Sequence, residues 1–133
     1  MTDAVFRKID CQLLSAPDLD AAVDFYQRRL GQKLIWRSDE AAGFGMPDTD
    51  AELVVHKRLR SETDLLVESV TDAVERLVAA GATCIQPPFD IAIGRCAILR
   101  DPFGNVLTIL DQSKGPLKTD AAKNVISQTE ISS

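Results

Sequence analysis

The chain holds one histidine, His56, and three cysteines, Cys11, Cys84 and Cys96. Each cysteine lies inside an apolar run and no CxxC pair exists, so neither a disulfide framework nor a zinc cluster is indicated. Buried, reduced thiols are expected. With a single histidine, no two-histidine metal site can be built. Among the carboxylates, Glu62 and Asp64 share one strand face at i and i+2, a spacing that reads most simply as a solvated edge. A dyad of Cys11 and His56 would pair a nucleophile with a base, but nothing in the sequence brings the two together. No GxSxG elbow, phosphate loop or nucleotide fingerprint occurs.

The 133 residues, 45% apolar and 26% charged, suit one soluble domain and are too few for two ordinary ones. A net charge of −5 argues against a nucleic-acid partner. The short basic run Lys57-Arg58-Leu59-Arg60 sits among acids and reads as a solvated loop. The acidic balance suits a cationic or neutral ligand better than an anionic one. No stretch approaches the roughly 18 consecutive apolar residues of a membrane helix, and MTDAVFRKID lacks the features of a signal peptide. The expectation is a cytoplasmic protein with no membrane partner.

Two stretches carry a helical period. Leu19, Ala22, Val23, Tyr26 and Leu30 fall on one face, with Asp18 as N-cap and Gly31 just past the end. Val70, Ala73, Val74 and Leu77 repeat the spacing up to Gly81. Strands are predicted near Phe6–Leu14, Lys33–Arg37, Ala42–Met46, Glu52–His56, Asp64–Val67, Thr83–Gln86, Arg95–Arg100 and Val106–Asp111. Turn signals at Pro47–Asp50, Pro87-Pro88 and Asp101–Asn105 separate them. The order is β-α-β-β-β twice, and Ala22-Val23 and Ala73-Val74 mark a repeat of about fifty residues. From Lys114 to Ser133 the pattern dissolves, and a flexible tail is expected. In the alternative it is an arm on a partner subunit, for which VISQTEI is the only β-like piece.

These segments resemble a known family. IDCQLLSAPDLDAAVDFYQRRLGQKL is similar to the opening of vicinal-oxygen-chelate domains of the glyoxalase, bleomycin-resistance and extradiol-dioxygenase type. VESVTDAVERLVAAGAT resembles the second repeat's strand and helix, and ILRDPFGNVLTIL its closing hairpin. The resemblance covers about Phe6 to Asp111. It implies an α+β fold of two βαβββ repeats, about 5–57 and 62–111, forming a curved mixed-sheet cleft within a single domain over 1–113. It also implies a homodimer.

Enzymes of that family hold a divalent metal on four strand positions, typically two or three histidines with one or two glutamates. Carried onto this chain, the first position is Cys11, seven residues before Asp18, and the last is Thr108, three after Asn105. Glu52 stands near another, and the second repeat's first strand offers Glu62 or Asp64 and no histidine. The mixed set matches no common metal site, so no metal and no cofactor are expected. What remains is a cleft for a small organic ligand. Trp36, Phe44, Phe89 and Phe103 are candidate wall residues, and Trp36, the only tryptophan, would stack on a planar ligand. Gly43 and Gly45, flanking Phe44, allow a bulge or a close backbone approach. Arg37 and Arg95 would anchor an acidic group, and Cys11, Glu52, Asp64 and Thr108 complete the expected ligand-binding set.

The leading expectation is a metal-free binding protein similar to the bleomycin-resistance, that is drug-resistance, members, in which Glu52 has no chemical role. The alternative is a glyoxalase-like metal-dependent lyase, isomerase or dioxygenase with an atypical ligand set, using Glu52, Glu62 or Asp64 and Cys11. A third class is a non-catalytic interaction module.

Overall fold

The alternating and helical segments fold into two βαβββ units of the same topology, described by a computed structural model for residues 4–126. The first repeat runs β1 (Phe6–Ser15), α1 (Leu19–Val23), β2 (Lys33–Arg37), β3 (Ala41–Met46) and β4 (Thr49–His56). The second runs β5 (Glu62–Val67), α2 (Val70–Ala79), β6 (Thr83–Ile91), β7 (Gly94–Arg100) and β8 (Val106–Leu110). In each, the last strand returns to pair in parallel with the first, β4 with β1 and β8 with β5, while the remaining neighbours are antiparallel. The strand orders β2-β3-β4-β1 and β6-β7-β8-β5 are therefore the same pattern twice. The class is α+β with mixed sheets. By contacts, the described residues up to Ile9 group with Thr63–Pro116, and Asp10–Glu62 group with the described residues from Leu117 to Ile126.

Capping follows the sequence. Asp18 accepts the Ala21 amide at 3.1 Å ahead of α1, and Ser69 accepts that of Asp72 at 3.3 Å ahead of α2. The first helix then departs from expectation. From Asp24 to Arg29 it winds as a π-helix, and the Leu30 amide reaches back five residues to the Phe25 carbonyl. The wider turn slips the 3.6-residue stripe, so Leu30, expected on the buried face, is exposed.

Pro87-Pro88 was expected to end a strand, yet β6 continues through it to Ile91. The order ends at β6, and its register to β7 shifts between Gln86 and Phe89. An edge strand with a bulge tolerates two residues that donate no ladder hydrogen bond.

In the first repeat, Leu19, Ala22, Val23, Ala42, Phe44 and Val55 form a core under α1. Phe44, expected on a ligand-binding wall, is fully buried there with Tyr26 against it, ring centroids 5.6 Å apart. Strand alternation turns its ring to the helix side, and the expectation is corrected: Phe44 is core. In the second repeat Val67, Val70, Ala73, Ala97, Leu99 and Ile109 play the same part under α2.

The segment expected to be a flexible tail carries structure as far as it is described. Lys118–Thr119 (β9) pairs antiparallel with Val125–Ile126 (β10). Asp120 organises the turn by accepting the amides of Ala122 and Asn124 at 2.9 and 3.0 Å. The Arg37 amide, at the end of β2, donates to the Lys123 carbonyl at 2.8 Å. A side-chain-capped turn needs no apolar period, which is why pattern reading passes over it. The remainder of the tail, with most of VISQTEI, lies outside the described residues. Among these, no helix is long and apolar enough to cross a membrane.

Candidate functional site

The chemistry in the first repeat centres on Glu52 of β4. Trp36 comes from β2, two strands away, and its Nε1–H donates to Glu52 Oε1 at 2.7 Å. Two irregularities make the reach possible. The β2–β3 register shifts between Leu34 and Trp36, and Gly43 lies between the partners with no side chain. A Cβ at 43 would run into Trp36 Nε1 and Cε2 and stand 2.7 Å from Glu52 Oε1. The close approach that Gly43 was expected to allow is made by the indole. Cys11 is the residue of β1 opposite Glu52 in the parallel register. It packs, buried, with Leu13, Ala41, Val54 and the flank of Trp36, as a small apolar side chain does.

Burial pushes the Glu52 carboxyl above its ordinary value, and the negative charge of Asp10 adds to this; the Trp36 hydrogen bond opposes both. The site is thus a half-buried carboxylate with an indole fixed beside it and a second acid nearby. Such a site favours a cation or a hydrogen-bond donor.

In the second repeat, Asp64 and Thr108 are partners in the parallel β5–β8 register, and both are buried. Arg95 was expected to anchor an acidic group, but its guanidinium is engaged within its own repeat. It donates to the Pro88 carbonyl at 3.1 Å and the Thr71 hydroxyl at 3.4 Å. Within the first repeat Cys11, Trp36 and Glu52 come together, and within the second Asp64 is the register partner of Thr108. Glu62 accepts the Gln12 side-chain amide on its backbone carbonyl at 3.1 Å.

The divalent metal of the family's enzymes can be tested against these residues. Among the described residues no three His, Cys, Asp or Glu side chains cluster to hold an ion. Glu52 Oε1 already accepts the indole N–H, Cys11 packs as an apolar group, and Thr108 offers a neutral hydroxyl where a carboxylate is needed. The donor set does not fit a divalent metal.

An open cleft of about 750 Å³ lies elsewhere on the first repeat, between Pro17–Asp20, Arg37–Asp39, Lys57 and Asn124–Ile126. Of the residues singled out for ligand contact only Arg37 lines it, and its guanidinium is paired with Asp20.

Sequence reasoning missed Asp111, at the end of β8 and only 3% exposed. Its Oδ2 accepts the Val70 amide at 2.9 Å, the first N–H of α2, and its Oδ1 accepts the Arg95 amide at 2.9 Å and the Ser113 hydroxyl at 2.8 Å. Gly94 leaves the space: a Cβ there would strike Asp111. Burial works to raise the Asp111 carboxyl, but these donors hold it below its ordinary value. A lone aspartate after an apolar strand was the only signal.

The model of the Glyoxalase/Bleomycin resistance protein/Dioxygenase superfamily matches residues 8–109. The chain belongs to that superfamily. No curated protein matches it in sequence. Among solved structures, methylmalonyl-CoA epimerase from Mycobacterium tuberculosis is similar at 15% identity and a TM-score of 0.66, over 85% of this chain and 93% of that one. A hypothetical protein from Bacillus halodurans aligns at 14% identity and 0.68, over 84% and 98%. The Mn(II)-bound glyoxalase from Novosphingobium aromaticivorans aligns at 18% and 0.58, over 81% of this chain and 40% of its own. At these identities the likeness concerns the fold.

Proposed function

We propose that the chain is a metal-free binding member of the superfamily, akin to the bleomycin-resistance proteins, that holds a small organic ligand at Trp36 and Glu52. The observation that carries this is the Trp36–Glu52 hydrogen bond seated on Gly43. It commits one carboxylate oxygen to an indole and presents an aromatic ring and an acid as one surface. A planar ligand with a positive charge satisfies both, through stacking and a charge-assisted hydrogen bond. Glu52, expected in the ligand-binding set but without a chemical role, gains one in this reading: its carboxylate orients the ring.

A thermal-shift screen of planar organic cations, followed by Trp36 fluorescence titration, tests this. Trp36→Phe and Glu52→Gln should each weaken a hit about tenfold or more. Hits that leave the fluorescence unchanged and bind both variants normally would remove the site.

A second reading has one observation behind it. Burial holds the Glu52 carboxyl above its ordinary value, the direction that suits a general acid or base. Under that reading Glu52→Gln abolishes turnover of a lyase or isomerase substrate, while Trp36→Phe alters mainly apparent affinity.

A further inference from the structure

His56 and the basic run that follows it take no part in the Trp36–Glu52 site, but they are built into one another. His56 ends β4, opposite Ser15 of β1 and Ala41 of β3. Beyond it the chain turns back, and the amides of Arg58 and Leu59 both donate to the imidazole Nδ1, at 3.0 and 3.2 Å. That nitrogen accepts only in a neutral ring carrying its proton on Nε2; an imidazolium has donors on both nitrogens and no acceptor. The hydrogen bonds and the protonated ring therefore exclude each other.

We propose that His56 is a proton-operated latch: neutral, it ties the Arg58–Arg60 segment back onto the end of β4; protonated, it releases that segment. Lys57 stays in place in both states through its own amide, which donates to the Glu40 carbonyl at 2.9 Å.

The charged groups facing the ring are Glu40, just ahead of β3, and Lys57 and Arg58 of the loop; the β1 neighbour, Ser15, carries no charge. Burial, the largest influence, lowers the His56 pKa from its ordinary 6.5; Glu40 opposes it, and Arg58 and Lys57 reinforce it. Arg58 Nε also pairs with Glu40 Oε1 at 3.0 Å, so the released segment takes with it the cation that now occupies Glu40. A pKa lowered on folding means that the neutral, latched form persists above pH 6.5 and gives way only as the pH falls below it. The loop lies next to Lys57 on the rim of the open cleft, so acidification frees a basic segment there without touching Trp36 or Glu52.

Nuclear magnetic resonance tests the latch without any ligand. The ring nitrogen shifts report the protonation of His56, and hydrogen exchange reports the protection of the Arg58 and Leu59 amides. Between about pH 7.5 and about pH 5, both protection factors should fall together, roughly tenfold, with the midpoint of the ring's own titration. His56→Asn places Oδ1 where Nδ1 stood and does not titrate, so it should keep both amides protected throughout. His56→Ala should leave both unprotected at every pH. Amides that stay protected once the ring is charged, or an Asn variant that loses protection along the wild-type curve, would overturn the proposal. Should the Ala variant fail to fold, the wild type and the Asn variant still decide it.

Discussion

Gly43→Ala probes the geometry on which the site rests. The added Cβ would overlap Trp36 Nε1 and Cε2 and lie 2.7 Å from Glu52 Oε1, against an optimum between carbon atoms of about 3.5–4.0 Å. Backbone on a paired strand yields little, so the indole must swing out and its 2.7 Å hydrogen bond to Glu52 breaks. Overpacking costs about 1–3 kcal/mol and a lost hydrogen bond to a charged group about 1.5–3 kcal/mol. Both arise from one displacement, so the expected total is roughly 2–4 kcal/mol. For a domain of this size that lowers Tm by on the order of 10 °C. Calorimetry gives the loss, and Trp36 fluorescence should shift to the red as the ring meets water. The double variant with Trp36→Phe completes the test, because a smaller ring relieves the overlap and the two changes must couple by more than about 1 kcal/mol. Additive costs, or a Gly43→Ala variant with wild-type emission and Tm, would refute the seating of Trp36 on Gly43.

Other consequences follow from the same structure. Asp111→Asn sets an amide NH₂ among donors and should cost about 2–4 kcal/mol by denaturant titration. Because the Asp111 carboxyl is lowered on folding, its contribution is present above its ordinary 3.8 and lost as the pH falls through the folded value. The gap between wild type and Asp111→Asn should therefore close in acid. Glu52 is raised on folding, so its contribution is present below 4.5 and lost as the pH rises through the folded value. Glu52→Gln keeps an acceptor for Trp36 and does not titrate, so its Tm should gain on the wild type's as the pH rises from 4.5 through the folded value. Ending the chain at Pro116 removes β9 and β10 but no residue of the three core clusters. Loss of the Arg37–Lys123 bond should lower Tm by only a few degrees, about 0.5–1.5 kcal/mol, and insolubility of that chain would contradict this. Finally, a chelator should leave Tm unchanged, and a chelator-sensitive Tm with one metal bound per chain would overturn the misfit of Cys11, Glu52 and Thr108 to an ion.

What the sequence determined by itself is local and periodic. The Ala-Val stripes of both helices, their acid and serine caps and the alternation of the strands are set within a few residues, and so the doubled βαβββ order was legible. Its one wide helical miss, Leu30, comes from a π turn that no period announces. Residue type also sufficed for exclusion: one histidine rules out a two-histidine metal site built within this one chain. Only tertiary structure decided the rest. Trp36 and Glu52 stand sixteen residues apart and meet because a register shift and a missing Cβ bring them together. Phe44, one position from Gly43, faces the opposite side and is lost to the core. Asp111 reaches the start of α2 forty-one residues back in the chain, and Lys123 closes on Arg37. Such pairings depend on register and on the space left by small residues, which exist only once the strands lie side by side.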